Sequence, residues 1–430
     1  MAASRGVDVG PLLLPGTILL ALVGVVTQLD AVANTYAKMS PISVFELLLA
    51  GLVALSVIVS VNQGPRQALQ PIGHASGLQL IAALMCWIVF CLMFSTFFGP
   101  GVSYTIRVCA VMLLPLLMAC LVRDPRSIAI VLGGIIVAGL ANGVVTIYEG
   151  YSGTRLFATS LAATRADFDG VIRSSGTSDL NPTSASQMLM VSVLLAAGLL
   201  ASGFRRFWPV LLVVIGVGSV AIGFTAARST MIALGIGFGL IMLRYYRHFL
   251  FPLIVPLGLA AAAGAFFLLP ESTIDRFAAI LNFGADRSLF RRLTYISIGW
   301  DLLWQSPIWG VGPGNFQFHY MDASYRFLPG RTLDPRELHN TFFDVMVEYG
   351  LVGFALFAGI VTLALKGAIG AASNAADPLL RQVSYATVIA LVALLIGSFF
   401  MPHKDFRYLW LLIGIALQCA AIARFRRRHA

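Results

Sequence analysis

Charge is scarce in this chain. Only 11% of its 430 residues are Asp, Glu, Lys or Arg, against roughly 25% in an ordinary soluble domain. A set of soluble domains is excluded, and a 58% hydrophobic content with a mean hydropathy of +0.87 agrees. Acidic residues are the rarer sign, 19 against 29 basic, for a formal net charge of +10. Cysteine is limited to Cys86, Cys91, Cys109, Cys120 and Cys419, all inside apolar runs. That leaves no disulfide framework and no Cys/His metal cluster. Strict polar–apolar alternation is also missing, which excludes the strands of an outer-membrane barrel.

What the chain has instead is long apolar runs. About twelve occur, near 11–32, 42–61, 78–98, 103–122, 128–149, 184–203, 208–227, 229–243, 249–269, 351–371, 383–402 and 408–423. Runs of about 20 residues match the ~30 Å hydrocarbon core of a bilayer. The expected fold is an all-α polytopic membrane protein of about twelve transmembrane helices. Composition never shifts, so residues 1–430 read as a single integral membrane domain. Arg5, the first run and Ala31-Val-Ala33 imitate a signal peptide, but the run is too long and reads as an uncleaved helix.

Lys and Arg set the orientation. With both termini cytoplasmic, the inner connections hold Arg66, Arg123, Arg126, Arg205, Arg206, Arg244, Arg247, Lys366 and Arg381, and the tail adds Arg424, Arg426, Arg427 and Arg428. The short outer turns hold only Lys38, Arg107, Arg228, Lys404 and Arg407. Two longer segments then lie outside, 150–183 and 271–350. This sorting accounts for most of the net charge, so nucleic acid is not an expected partner. It does not account for Arg155, Arg165 and Arg173 on one outer segment, or Arg276, Arg287, Arg291, Arg292, Arg326, Arg331 and Arg336 on the other. Cations placed against the sorting rule point to an anionic ligand at the outer face.

Within the larger segment, residues 288–304 put Leu289, Leu293, Ile296, Trp300 and Leu303 at helical spacing. Pro307 and the cluster Gly310-Val-Gly312-Pro-Gly314 break that helix. A second helix is expected from near Pro335, carrying His339, Phe342, Phe343 and Met346 toward the membrane. The segment thus reads as a helical cap. An imidazole with its ordinary pKa near ~6.5 suits proton abstraction at neutral pH. The bland alternative for His339 is a histidine that caps a helix or bonds a carbonyl.

His339 and Asn340 are followed by nine residues and then Gly350-Leu-Val-Gly353. This spacing, at the end of the large outer loop, resembles the signature of bacterial O-antigen ligases. Thr225-Ala-Ala-Arg228-Ser-Thr230 is similar to another segment of that superfamily, with Ala227 where many members have Ser. Ser288 through Arg292 to Pro307-Ile-Trp-Gly310-Val-Gly312 resembles a third, and Arg173-Ser-Ser-Gly176 with Asn181-Pro182 a weaker fourth. The resemblance covers roughly 170–360. It implies a GT-C-like glycosyltransferase in the bacterial inner membrane that acts at the periplasmic face without metal or other cofactor. An O-antigen glycan would pass from undecaprenyl pyrophosphate to the lipid A–core oligosaccharide. Arg228, Arg292, Arg291 and Arg173 would bind the pyrophosphate, with Arg292 the stronger of its pair. His339 would be the base, supported by Asn340, Gly350 and Gly353.

Two rivals use the same donor: an O-antigen polymerase and a protein O-oligosaccharyltransferase. A transporter of an anionic lipid or solute is a rival of another class. Direct attack on the anomeric carbon would invert it, whereas a two-step route would need a carboxylate such as Asp334, Glu337 or Asp344. Asp167-Phe168-Asp169 has the D-x-D form of metal-dependent glycosyltransferases but reads as a solvated turn. Asp30 and the turn His403-Lys404-Asp405-Phe406-Arg407 carry charge without a decisive pattern.

Overall fold

The computed structural model describes residues 10–36, 43–63, 75–157, 173–244, 287–329, 331–332 and 334–429. The described residues are helical and form no strand. The run at 249–269 lies outside them, as do Arg165, Asp167, Asp169 and Arg276. The membrane helices before the cap are α1 Gly10–Gln28, with the short α2 Asp30–Tyr36, then α3 Val44–Gln63, α4 Ala75–Cys91, α5 Phe98–Leu121, α6 Pro125–Ser152, α7 Pro182–Ala201, α8 Trp208–Phe224 and α9 Arg228–Arg244. The cap contains α10 Arg287–Gln305 and α11 Phe316–His319, and α12 Thr341–Asn374, α13 Pro378–Gly397 and α14 Arg407–His429 return to the bundle. Nine helices among the described residues are long and apolar enough to cross a membrane. Helices α8 and α9, at 17 residues each, occupy two more of the apolar runs.

Two helices are central. α7 packs against α6, α8, α9 and α13, and α14 against α5, α12 and α13. Both are almost wholly buried. Lipid tails are as apolar as the helices, so close packing and buried polar contacts hold such a bundle together. Gly198 of α7 shows the first: a Cβ there would lie 2.7 Å from the Ala386 Cα of α13. The second is a buried chain in which Asn142 donates to Gln28 (3.0 Å) and Gln28 donates to Ser192 (2.7 Å), joining α6, α1 and α7.

Helix ends alternate between two sides. On the cap side, the Thr177 hydroxyl donates to the Gln28 carbonyl (2.8 Å) and the Trp87 indole N–H to the Tyr349 carbonyl (2.8 Å). On the other side Arg426 pairs with Asp377, and Arg427 donates to the Asn374 carbonyl.

The cap has its own small core of Tyr295, Ile298, Leu302, Phe316, Tyr320 and Leu338. One expectation about it needs correction, the start of its second helix. α10 forms where the spacing predicts, but Leu293, Ile296 and Trp300 are exposed at 53%, 41% and 47%. The buried face is Thr294, Tyr295, Ile298 and Leu302. Apolar residues flank the helix on two sides, and periodicity alone does not separate the side facing core from the side facing outward. The second helix does not start near Pro335. It starts at Thr341, because the Asn340 side chain accepts the Phe342 and Phe343 amides (3.1 and 3.2 Å) and so caps the helix. His339 therefore sits in the irregular segment before the helix.

Candidate active site at the cap end of the bundle

The site rests on a break in α12. Gly350 has φ 69° and ψ −177°, a conformation side chains rarely tolerate. An added Cβ would lie 2.0 Å from the Ile308 carbonyl oxygen. The break frees carbonyls, which accept from the cap: Val311 N–H donates to Val347 O (3.0 Å) and Gly312 N–H to Glu348 O (3.0 Å). In return Leu351 N–H donates to Pro307 O (2.8 Å). Gly353 leaves room for Trp87, which would stand 3.2 Å from a Cβ there. Two stretches distant in sequence, Pro307–Gly312 and Gly350–Gly353, thus interlock, and their glycines dock the cap on the bundle.

His339 is half-buried above this joint. Its ring stacks on Tyr295 of α10, centroids 5.1 Å apart and 17° between planes. Nδ1 lies 2.7 Å from the Glu337 carbonyl oxygen. A carbonyl can only accept, so Nδ1 carries the proton and Nε2 keeps a lone pair. Burial lowers the imidazole pKa to about 4; the Glu337 carbonyl works against this, while the charges of Arg292, Arg336 and Arg291 add to it. The ring thus feels the charges of three cap arginines. The Arg292 guanidinium also lies over Phe400, 5.3 Å from the ring centroid.

Phe400 belongs to the turn between α13 and α14, which is tied to the start of α12. Thr341 N–H donates to Ser398 O (2.8 Å), its hydroxyl donates to Met401 O (2.7 Å), and it accepts from His403 N–H (2.7 Å). Below them Lys404 is buried, 2.8 Å from Asp344 and 2.5 Å from Glu348. Burial works against its charge, but the two carboxylates outweigh that and raise its pKa. Glu348 also accepts the Gly314 amide (2.7 Å), so one lysine–dicarboxylate cluster holds the cap, α12 and the last turn together. His403 is a structural histidine, fully buried with Nδ1 2.9 Å from the Ser398 hydroxyl.

Arg173 and Arg228 form a second group. Arg228 is the first residue of α9 and half-buried. Arg173 donates from Nε to Thr225 O (3.1 Å), at the turn that leads to Arg228, and from Nη2 to Thr183 (3.3 Å). Its segment is held by buried Glu149, which accepts from the Ser174 hydroxyl (2.6 Å) and from the Gly176 and Leu156 amides (3.0 and 3.1 Å). Among the described residues no hydrogen bond or ring contact joins these two arginines to His339. The groups are linked through the top of α7: Ser186 bonds Thr230 of α9 (2.6 Å), and Gln187 donates to Gly397 O, just before the Phe400 turn (3.2 Å).

Sequence reasoning missed Arg336, Phe400, Lys404 and Glu149. Arg336 is visible in the sequence only as one of several loop arginines. Nothing in the sequence marks Glu149 as the anchor of its loop or Lys404 as buried. Arg331 serves the cap itself, donating to the carbonyls of Tyr320 (3.2 Å) and Met321 (2.7 Å).

A bundle of apolar helices this long defines a multi-pass membrane protein, with His339 and several arginines at its capped end. Residues 211–358 match the family model described as O-Antigen ligase. His339, Arg228, Arg291 and Arg292 fall inside the match, and Arg173 lies before it. No curated protein sequence matches the chain.

Proposed function

We propose that the protein transfers an O-antigen glycan from undecaprenyl pyrophosphate to a hydroxyl of the lipid A–core oligosaccharide, at the periplasmic face of the bacterial inner membrane. The observation that carries this is an imidazole stacked on Tyr295 with its Nδ1 tied to a carbonyl, held neutral by burial and by the charges of Arg292, Arg336 and Arg291, all within the family-matched segment. Arginine binds phosphate oxygens bidentately and keeps its proton, so the cluster suits a lipid-linked diphosphate. Arg173 and Arg228 extend this basic surface along the top of α7. As the anomeric carbon–oxygen bond breaks, negative charge grows on the departing pyrophosphate, where fixed guanidinium groups stabilise it. His339 Nε2 takes the proton of the acceptor hydroxyl as its oxygen bonds the anomeric carbon.

Direct displacement with inversion is favoured by the state of the nearby carboxylates. Asp344 is fully buried beside Lys404, and Asp334 lies 3.7 Å from Arg336. Burial, then the charge of Asp405, raises Glu337 to about 7, so a large fraction of it is protonated and not available as a nucleophile at neutral pH. The test combines purified protein, lipid-linked glycan and rough lipopolysaccharide, without added metal or nucleotide, and reads the product shift on a gel. A ladder of glycosylated lipopolysaccharide is expected. Donor movement across a membrane with no glycosidic product would replace this reading with transport.

A further inference from the structure

At the end of the bundle opposite the cap, α12 and α14 enclose a cavity of about 180 Å³. Liquid water occupies ~30 Å³ per molecule, so the space holds a group of several heavy atoms. Its wall carries Lys366, Arg424 and Arg427 and includes no acidic residue. The nearby carboxylate of Asp377 is engaged by Arg426 instead. Gly367 and Gly370 form one side, and a Cβ at Gly370 would meet nothing within 4 Å. Lys366 lies about 26 residues along α12 from Asn340, roughly 40 Å of helix, so the cavity belongs to the other membrane face.

Positive-inside sorting explains cations near this end. It does not explain three of them lining one cavity between two helices, with Arg427 also donating to the Asn374 carbonyl at its wall. The cavity opens at the ends of two membrane-spanning helices, where headgroups meet the apolar interior of a bilayer. A ligand here would therefore have an anionic head for the cations and apolar chains for the bilayer interior. We propose that this cavity is a binding site for the phosphodiester headgroup of an anionic membrane phospholipid, held by Lys366, Arg424 and Arg427. Basic pockets between transmembrane helices recognise such headgroups elsewhere, and the site is independent of the transfer reaction at the cap.

The test uses the full-length protein purified in detergent. It is titrated with phosphatidylglycerol and, separately, with phosphatidylcholine of the same acyl chains, and retained lipid is counted by native mass spectrometry. Phosphatidylglycerol should be retained and phosphatidylcholine lost. Lys366→Gln, Arg424→Gln and Arg427→Gln should each weaken retention about fivefold, from ~1 kcal/mol per surface cation. Gly370→Leu fills the cavity with no change of charge and should abolish retention. Arg205→Gln/Arg206→Gln removes two cations from the same side of the bundle and should leave retention unchanged. Equal loss in that double variant, or full retention by Gly370→Leu, would overturn the proposal. So would displacement of the lipid by millimolar inorganic phosphate, which would make this a soluble-anion site.

Discussion

A single imidazole governs the proposed reaction, and its surroundings set a pH signature. With a pKa near 4, His339 is deprotonated and able to act as a base throughout the neutral range, and is lost as a base as pH falls toward 4. The profile of kcat/KM, which reports the free enzyme, should stay flat from pH 8 down to about 5 and then fall. A bound pyrophosphate neutralises Arg291, Arg292 and Arg336 and removes part of what depresses the pKa. The acid limb of kcat should therefore lie at higher pH than that of kcat/KM. Coincident limbs, measured over pH 4–8, would show that these arginines do not meet the donor. His339→Ala should lower transfer about 10²–10⁴-fold with the protein still monodisperse. Lys404 behaves differently. Lys404→Met leaves Asp344 and Glu348 buried without their cation, a loss of about 3–5 kcal/mol in comparable buried pairs. Lower yield and melting temperature are expected, with partial recovery in Lys404→Met/Asp344→Asn.

At the scale of elements, the break in α12 is the joint that matters. Gly350→Ala forces a side chain into the left-handed region, which costs about 1–2 kcal/mol, and drives it against the Ile308 carbonyl. The cap should loosen on the bundle, seen as faster tryptic cleavage between α10 and α12 and as a loss of transfer. Unchanged cleavage would mean the cap docks through its other contacts. These elements also show how much of the fold is legible in the residues themselves. The extent of α10 follows from spacing, and the cap's position from the run of polar residues. Its buried face does not, because an apolar stripe facing outward looks like one facing a core. The start of α12 is ambiguous in sequence because Pro335 is a good first residue for a helix, whereas Asn340 caps one by its own side chain. His339, Asn340, Gly350 and Gly353 are visible as a motif, but their division of labour is not. Asn340 and the glycines build the joint, and the imidazole stands above it. Lys404 acts on Glu348 and Asp344, 56 and 60 positions before it, and Glu149 on Ser174 and Gly176, 25 and 27 positions after it, which local pattern does not encode.

For the molecule as a whole, the question is which side of the membrane the cap faces. The apolar runs alone locate the described membrane helices, since bilayer thickness sets their length. Orientation rests on charge. Arg123, Arg126, Arg205, Arg206, Arg244, Lys366, Arg381 and Arg424 all lie at or near the helix ends opposite the cap. Cytoplasmic loops hold the excess of Lys and Arg in membrane proteins, so the proposed orientation puts this end in the cytoplasm and the cap in the periplasm. The arginines of the cap are exceptions, and the proposed diphosphate-bearing donor on that side would supply their reason. Single cysteines separate the two orientations. Ser324→Cys sits on an exposed turn of the cap, and Asn374→Cys at the exposed end of α12. In intact spheroplasts a membrane-impermeant maleimide should label the first and spare the second until the membrane is opened. The reverse pattern would put His339 on the cytoplasmic side, away from any acceptor displayed in the periplasm, and the glycosyl-transfer reading would fail with it.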